Sequence, residues 1–301
     1  MIKFFISRLS NKYLGLCFLI IIYIFFICSF FYNYAKFAIT YEISGGRLGD
    51  QLIYYCIAKN LSIKHNIPFF YRPFKYSDKL MLSSLDNQLN EKDLQKYEIV
   101  KIGSEVPHIL NQSNKENILY LVSFQHWHTS SKDPKWYGVN STKEFRRLLK
   151  KLILPKVPIQ TIKLPQNTII VAVHVRTGEG YDSVILTANH TEKFPKDEFY
   201  IKQINKIKNH YKNKKIYFHI FTDAINPELL LKKYKSIFSD PFLTFGIRKE
   251  KESWKSNILN DLFSMANCDC LIRPKSGFSV ISQVIGNHNI IFYPGGEIFN
   301  Y

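Results

Sequence analysis

The chain has 301 residues, room for one long domain or two short ones, and its 46% apolar content excludes a disordered, collagen-like or low-complexity protein. Forty-one Lys+Arg against 24 Asp+Glu give a net charge of +17, which suits nucleic acid, an anionic membrane surface or a phosphorylated small molecule. Five cysteines are too few for a disulfide-stapled scaffold.

Residues 13–35 carry no charge and are mostly large and apolar. As a helix they span about 34 Å, enough for a hydrocarbon core of about 30 Å. A single uncleaved transmembrane anchor over 13–35 is therefore expected. A cleavable signal peptide is the rival, although its apolar region is usually shorter. Lys3, Arg8 and Lys12 precede the segment. By the positive-inside rule, residues 1–12 face the cytosol and 37–301 the far side, lumenal and Golgi-like in a eukaryote, extracytoplasmic otherwise. Sequons stand at Asn60, Asn111, Asn140 and Asn189.

The remaining chain alternates strand and helix patterns. Residues 37–44 read as a strand running into Gly45-Gly46. Helical spacing over 50–65 follows (Leu52, Ile53, Cys56, Ile57, Leu61), with Asp50 placed as its N-cap. Residues 67–71 read as a second short strand, and 74–118 are polar and weakly periodic. A strand over 118–124 and a basic helix over 142–152 lead to Pro155, Pro158 and Pro165, a hinge between domains 37–155 and 156–301. Residues 168–175 are nearly all β-branched, as a buried parallel strand requires. A helix over 196–211, a strand over 216–222, a helix from Pro227, the segment 257–266, a strand over 270–273, a helix near 278–285 and a strand over 289–293 complete the chain. The fold class expected is α/β, with two Rossmann-like domains facing a cleft.

Ligands of open parallel sheets bind at the carboxyl ends of strands, where four loops fall. In Gly45-Gly46-Arg47-Leu48-Gly49-Asp50 the glycines allow close backbone approach, and the following helix offers unpaired N–H groups; a bare turn is the plain alternative. His174 and Arg176 share one face of a strand end before Gly178, which suits a diphosphate or a structural ion pair. Thr222-Asp223 ends another strand, as a ligand contact or a helix cap. Arg273-Pro274-Lys275-Ser276-Gly277-Phe278-Ser279 offers hydroxyls, a helix N-terminus and two cations, or a plain N-cap. Cys268-Asp269-Cys270 lacks the spacing of zinc or redox sites, no metal site is expected, and a disulfide among Cys56, Cys268 and Cys270 stays open.

These loops resemble a family. Gly46-Arg47-Leu48-Gly49-Asp50-Gln51-Leu52 is similar to the GRLGNQL motif of the α-1,2-fucosyltransferases, glycosyltransferase family 11. His174-Val175-Arg176-Thr177-Gly178 resembles their HVRRGD, and Phe221-Thr222-Asp223 sits where they carry a strand-end aspartate. The run from Asp261 to Cys268, followed by Ser276-Gly277-Phe278-Ser279, resembles their D-L-x-x-M-x-x-C and S-x-F-S region. Order and spacing agree across roughly residues 40–293. The departures are Thr177 for the second arginine, Glu179 for the acid, Asp50 for asparagine, and Val280-Ile281-Ser282 where tryptophans often stand.

The resemblance implies a GT-B-like fold, GDP-fucose as donor, a glycan acceptor, inversion at the anomeric carbon and no essential metal. It implies a donor site built from Gly46, Arg47, Gly49, His174, Arg176, Gly178, Asp223, Ser276, Phe278 and Ser279. Arg176 is expected to stabilise the leaving diphosphate, and Asp223 to meet guanine or ribose. Asp50 is either the base or only an N-cap. Rival readings are a transferase of another nucleotide sugar and a membrane-tethered polyanion or glycan binder. Lys202, Lys206, Lys208, Lys212, Lys214 and Lys215 favour the binder, although no nucleic-acid motif accompanies them and nucleic acid is not expected as a partner.

Overall fold

The computed structural model describes residues 37–43, 46–103, 117–123, 142–179, 190–249 and 253–300. The expected anchor and the sequons at Asn111, Asn140 and Asn189 lie outside them. Among the described residues no helix is long and apolar enough to cross a membrane.

The first half holds a three-stranded parallel sheet, ordered β1 (Phe37–Tyr41), β3 (Ile118–Val122), β2 (Glu98–Ile102). Helix α1 (Leu48–His65) follows β1, and α2 (Lys143–Ile153) closes this half. The amphipathic pattern of α2 is plain: Phe145, Leu149, Leu152 and Ile153 are buried, and Thr142 Oγ1 accepts a hydrogen bond from Phe145 N at 3.1 Å, capping the first turn.

The second half is a six-stranded sheet ordered β6 (Leu243–Ile247), β5 (Ile216–Thr222), β4 (Ile169–Val175), β7 (Cys270–Ile272), β8 (Ile290–Tyr293), β9 (Gly296–Phe299). All pairings are parallel except β8 with β9. Its longer helices are α3 (Asp197–His210), α4 (Pro227–Ile237), α5 (Ile258–Ala266) and α6 (Gly277–Ile285). The order runs outward from β4 to β6, then returns to β7 on the other side of β4. That reversal opens a crevice beyond the carboxyl ends of β4 and β7.

Side-chain alternation along β4 sorts the core. Val171, Val173 and Val175 pack with Tyr200, Ile204 and Ile207 of α3, while Ile170 and Ala172 face Met265 of α5. His174 and Arg176 continue that second face. Leu259, Leu262, Val280, Ile281 and Val284 of α5 and α6 share one core with Ile39, Leu52, Ile57 and Leu149. Two helices of the second half thus pack against α1 and α2, joining the two sheets through a common apolar layer.

Several boundaries differ from the sequence reading. Residues 67–71 form no strand but meet β1 at one parallel bridge, Ile39 with Phe69. The strands that periodicity missed, β2, β6 and β9, all lie at sheet edges, where one side is solvated and no apolar run is needed. Helix α1 starts at Leu48 with Arg47 as its N-cap residue, so Asp50 is its third residue, not its cap. Cys56, Cys268 and Cys270 are buried free thiols, not a disulfide.

Candidate active site

A cavity of about 450 Å³ sits over the crevice and draws on all four loops. From the first half come Gly46, Arg47, Gly49 and Asp50; from the second, His174, Arg176, Asp223, Ser276 and Phe278. Gly178 and Ser279 do not line it. Gly178 turns the chain at φ +78, a left-handed conformation that favours glycine, and Ser279 is fully buried, donating to Ser276 O at 3.3 Å.

Two helix N-termini meet at this cavity. A Cβ on Gly49 would stand 2.3 Å from Phe278 N, and one on Gly277 would stand 2.9 Å from Asp50 Oδ1. Only residues without side chains let α1 and α6 approach so closely. The positive ends of both helices are thereby aimed at one space, an arrangement suited to an anion. Ser276, the N-cap residue of α6, lines the cavity and makes no capping bond with its side chain.

Asp223 organises the cations. Its Oδ1 accepts from Thr177 N at 2.8 Å, Thr177 Oγ1 at 3.3 Å and Gly178 N at 3.4 Å. Its Oδ2 lies 3.5 Å from Arg176 Nε and 3.7 Å from Arg47 Nη1. Asp223 is only 6% exposed. Asp223, expected at guanine or ribose, lines the cavity, shapes the β4 loop and holds two guanidiniums. Thr177 serves this same loop, and the second guanidinium at Asp223 comes from Arg47 on the other half. Glu179 fastens the loop from the far side, accepting from Ile225 N at 2.6 Å.

Arg176 is nearly enclosed, its guanidinium 5.1 Å from the centre of the Phe194 ring, so its rotamer is restricted. His174 lies 5.9 Å from Phe278, ring to ring, and its Nδ1 has no hydrogen-bond partner among the described residues. Burial, then the charges of Arg176, Arg47 and Arg273, push its pKa down to about 3. His174 is therefore a neutral group on the wall, not a general acid at neutral pH. The other two cations of the fourth loop turn away from the ligand space. Arg273 is buried, with Nε donating to Gln283 Oε1 at 2.5 Å, and Lys275 pairs with Glu192 at 2.9 Å.

Burial also lowers His219 and His288 to about 4 each. All three histidines stay neutral when folded but protonate when unfolded near pH 6.5, so the unfolded chain binds more protons below that pH. Stability is then full above about pH 6.5 and is lost as pH falls toward 4, each group approaching about 1.4 kcal/mol per pH unit. Melting temperatures between pH 7.5 and 5 are expected to fall steadily, and a flat profile would contradict neutral burial.

The sequence reading missed part of the wall. Asp261 of α5 lines the cavity and accepts from Arg248 Nε at 2.6 Å. It stood in the family-like segment beginning at Asp261, which was the available signal. Phe74 and Tyr76 come from the stretch without periodicity, and Tyr76 adopts φ +72, which local pattern does not reveal. Among the described residues no group of three or more His, Cys, Asp or Glu is placed to hold a metal ion.

No family model matches the chain, and no curated protein does. Solved structures do match. FUT1 of Arabidopsis thaliana in complex with GDP aligns at a TM-score of 0.52 and 12% identity, covering 85% of this chain and 70% of that one. The fucosyltransferase NodZ from Bradyrhizobium aligns at 0.49 and 13%, covering 88% and 99%. The NodZ α-1,6-fucosyltransferase soaked with GDP-fucose aligns at 0.46 and 15%, again over 88% and 99%. These likenesses concern the fold, and the mixed α/β architecture seen here resembles that of GT-B fucosyltransferases.

Proposed function

We propose that the protein is an inverting glycosyltransferase that moves fucose from GDP-fucose to a hydroxyl of a glycan, of the α-1,2 type. The observation that carries this reading is the convergence of Arg47, Arg176 and two helix N-termini on one cavity at the strand-order reversal. Such a space holds a diphosphate through fixed charge and dipoles. The four family-like motifs support fucose and the α-1,2 type. The uncharged segment 13–35 supports a membrane-anchored chain whose catalytic part faces away from the cytosol.

In the reaction the acceptor oxygen forms a bond to the anomeric carbon while the carbon–oxygen bond to the β-phosphate breaks, inverting the centre. The electron pair departs with the diphosphate, where Arg176, Arg47 and the α6 N-terminus hold the added charge. Asp50 takes the acceptor's proton. It is exposed on the cavity wall, and its side chain is not the cap of α1. Asp50→Asn is expected to lower kcat by about 10²–10³-fold with little change in KM for the donor. Its melting temperature should barely move, since an exposed first-turn acid contributes only about 0.3–1 kcal/mol. Turnover close to that of the unaltered chain would remove Asp50 from this role.

The deciding experiment is a panel of GDP-fucose, GDP-mannose, UDP-glucose and UDP-N-acetylglucosamine, read by thermal shift and by released nucleotide with galactoside acceptors. GDP-fucose at 100 times its Kd should stabilise the chain by about 2.7 kcal/mol and yield GDP and a fucosylated product. Stabilisation and turnover with a UDP-sugar alone would overturn the donor assignment.

A further inference from the structure

At the other end of the molecule lies a second concavity of about 790 Å³, between α2 and the β8–β9 hairpin. Its place follows from topology. Helix α6 starts at the cavity and runs about 13 Å away from it, and the turn 286–289 beyond α6 leads into the amino end of β8. None of the residues assigned to sugar transfer reaches it.

One wall is a cationic stripe. Lys143, Arg146, Arg147 and Lys150 stand at positions i, i+3, i+4 and i+7 of α2, one helix face about 10 Å long. The polar face that keeps this amphipathic helix in solvent is thus turned into a recess. The facing wall carries the amides of Asn287, Asn289 and Asn300, together with Phe299, which is 40% exposed. Among the described residues no carboxylate lines the recess; Glu144, the acid of α2, is not part of the wall. Like charges are crowded along the stripe, and the Lys150 ammonium leans across to Asn287 Oδ1.

We propose that this groove binds an acidic oligosaccharide. Carboxylate, sulfate or phosphate groups lie along the stripe, the arginines gripping them through paired N–H donors, sugar hydroxyls bond the asparagine amides, and a ring face rests on Phe299. The wall chemistry selects this occupant. A phospholipid surface requires only cations on an accessible face, whereas these sit in a recess opposite three amides. Single-stranded nucleic acid requires successive exposed aromatic platforms, and among the described residues lining the groove Phe299 is the one exposed aromatic ring, His288 being buried. The groove gives the transferase a second hold on an acidic glycan strand, independent of the donor cavity.

The test uses the full chain in an uncharged detergent, titrated with fluorescent heparin octasaccharide, an oligogalacturonate of equal length and maltooctaose, with GDP as a probe of the first cavity. Both acidic probes are expected to bind, more weakly as salt rises, and maltooctaose not to bind. The variant Arg146→Ala, Arg147→Ala, Lys150→Ala should lose at least about tenfold in affinity for them, as three partly exposed charge contacts imply. Its GDP affinity should be unchanged. Because Lys143 and Arg147 are exposed, Lys143→Gln with Arg147→Gln serves if the triple variant folds poorly, with a smaller loss. The proposal fails if the folded variants bind the acidic probes as tightly as the unaltered chain, or if maltooctaose binds equally well. It also fails if GDP displaces the acidic probes, or if phosphatidylserine vesicles or oligo-dT are bound in preference to them.

Discussion

Arg176→Ala is expected to reduce turnover with the donor by about 10²–10³-fold, close to 3–4 kcal/mol of transition-state stabilisation. The size follows from where the guanidinium sits. Its side chain is 10% exposed, so its field acts in a partly water-excluded space, and Phe194 on one side and Asp223 on the other limit its motion. In the proposed reaction, charge developing on a leaving diphosphate would therefore meet a preorganised donor rather than one recruited from solvent. Arg47, 38% exposed, does not replace it, because its partner Asp223 holds it at the rim. Affinity for GDP should fall in parallel, measured by titration, while far-ultraviolet circular dichroism stays unchanged. Arg176→Lys should recover only part of the loss, since an ammonium lacks the planar fork. Unchanged GDP affinity in a folded Arg176→Ala protein would displace the diphosphate from this end of β4.

Gly49→Ala is expected to be strongly destabilising, because its new methyl group would run into backbone rather than into a side chain. The new carbon would lie 2.3 Å from Phe278 N, 2.6 Å from Gly277 C and 2.7 Å from Phe278 Cα, all backbone atoms that no rotamer change can move aside. Helices α1 and α6 must separate, and they carry the apolar layer common to both halves. Overpacking of this kind costs about 3 kcal/mol, which lowers Tm by roughly 5 °C in a chain of this size. Donor affinity should drop as well, since the two helix N-termini no longer share one cavity. Gly295→Ala is the comparison: a methyl there meets nothing within 4 Å, so its cost is backbone strain alone, about 1–3 kcal/mol at φ of +92. Equal melting temperatures for Gly49→Ala and the unaltered protein would mean that the two helices do not cross at these glycines.

Much of the fold was legible in the sequence because buried parallel strands and amphipathic helices are written locally. The run of β4 from Ile169 to Val175 is apolar on both faces because helices cover both, and α2 repeats its apolar residues at helical spacing. The loops that carry Arg47, His174, Arg176 and Ser276 were legible for the same reason, since they follow strands and strand ends are where such sheets bind ligands. The edge strands β2, β6 and β9 were not legible: β2, with the solvated pattern of Glu98 and Lys101, has no need of an apolar run, whereas the edge strand β1 is buried and was read from its apolar run.

By itself, then, the sequence determined an α/β chain, the strand-end position of its glycines and cations, and a large positive charge. Tertiary structure alone decided what those charges do. Asp223 binds Arg47 and Arg176 into one cluster although 176 residues separate Asp223 from Arg47, and α2 sets its basic face against amides more than 130 residues further along the chain. Local periodicity reports which face of an element is buried but carries no record of which distant element it meets. The surplus of +17 is for that reason two placed features, a pair of arginines at the crevice and a stripe on α2, set in an otherwise solvated surface.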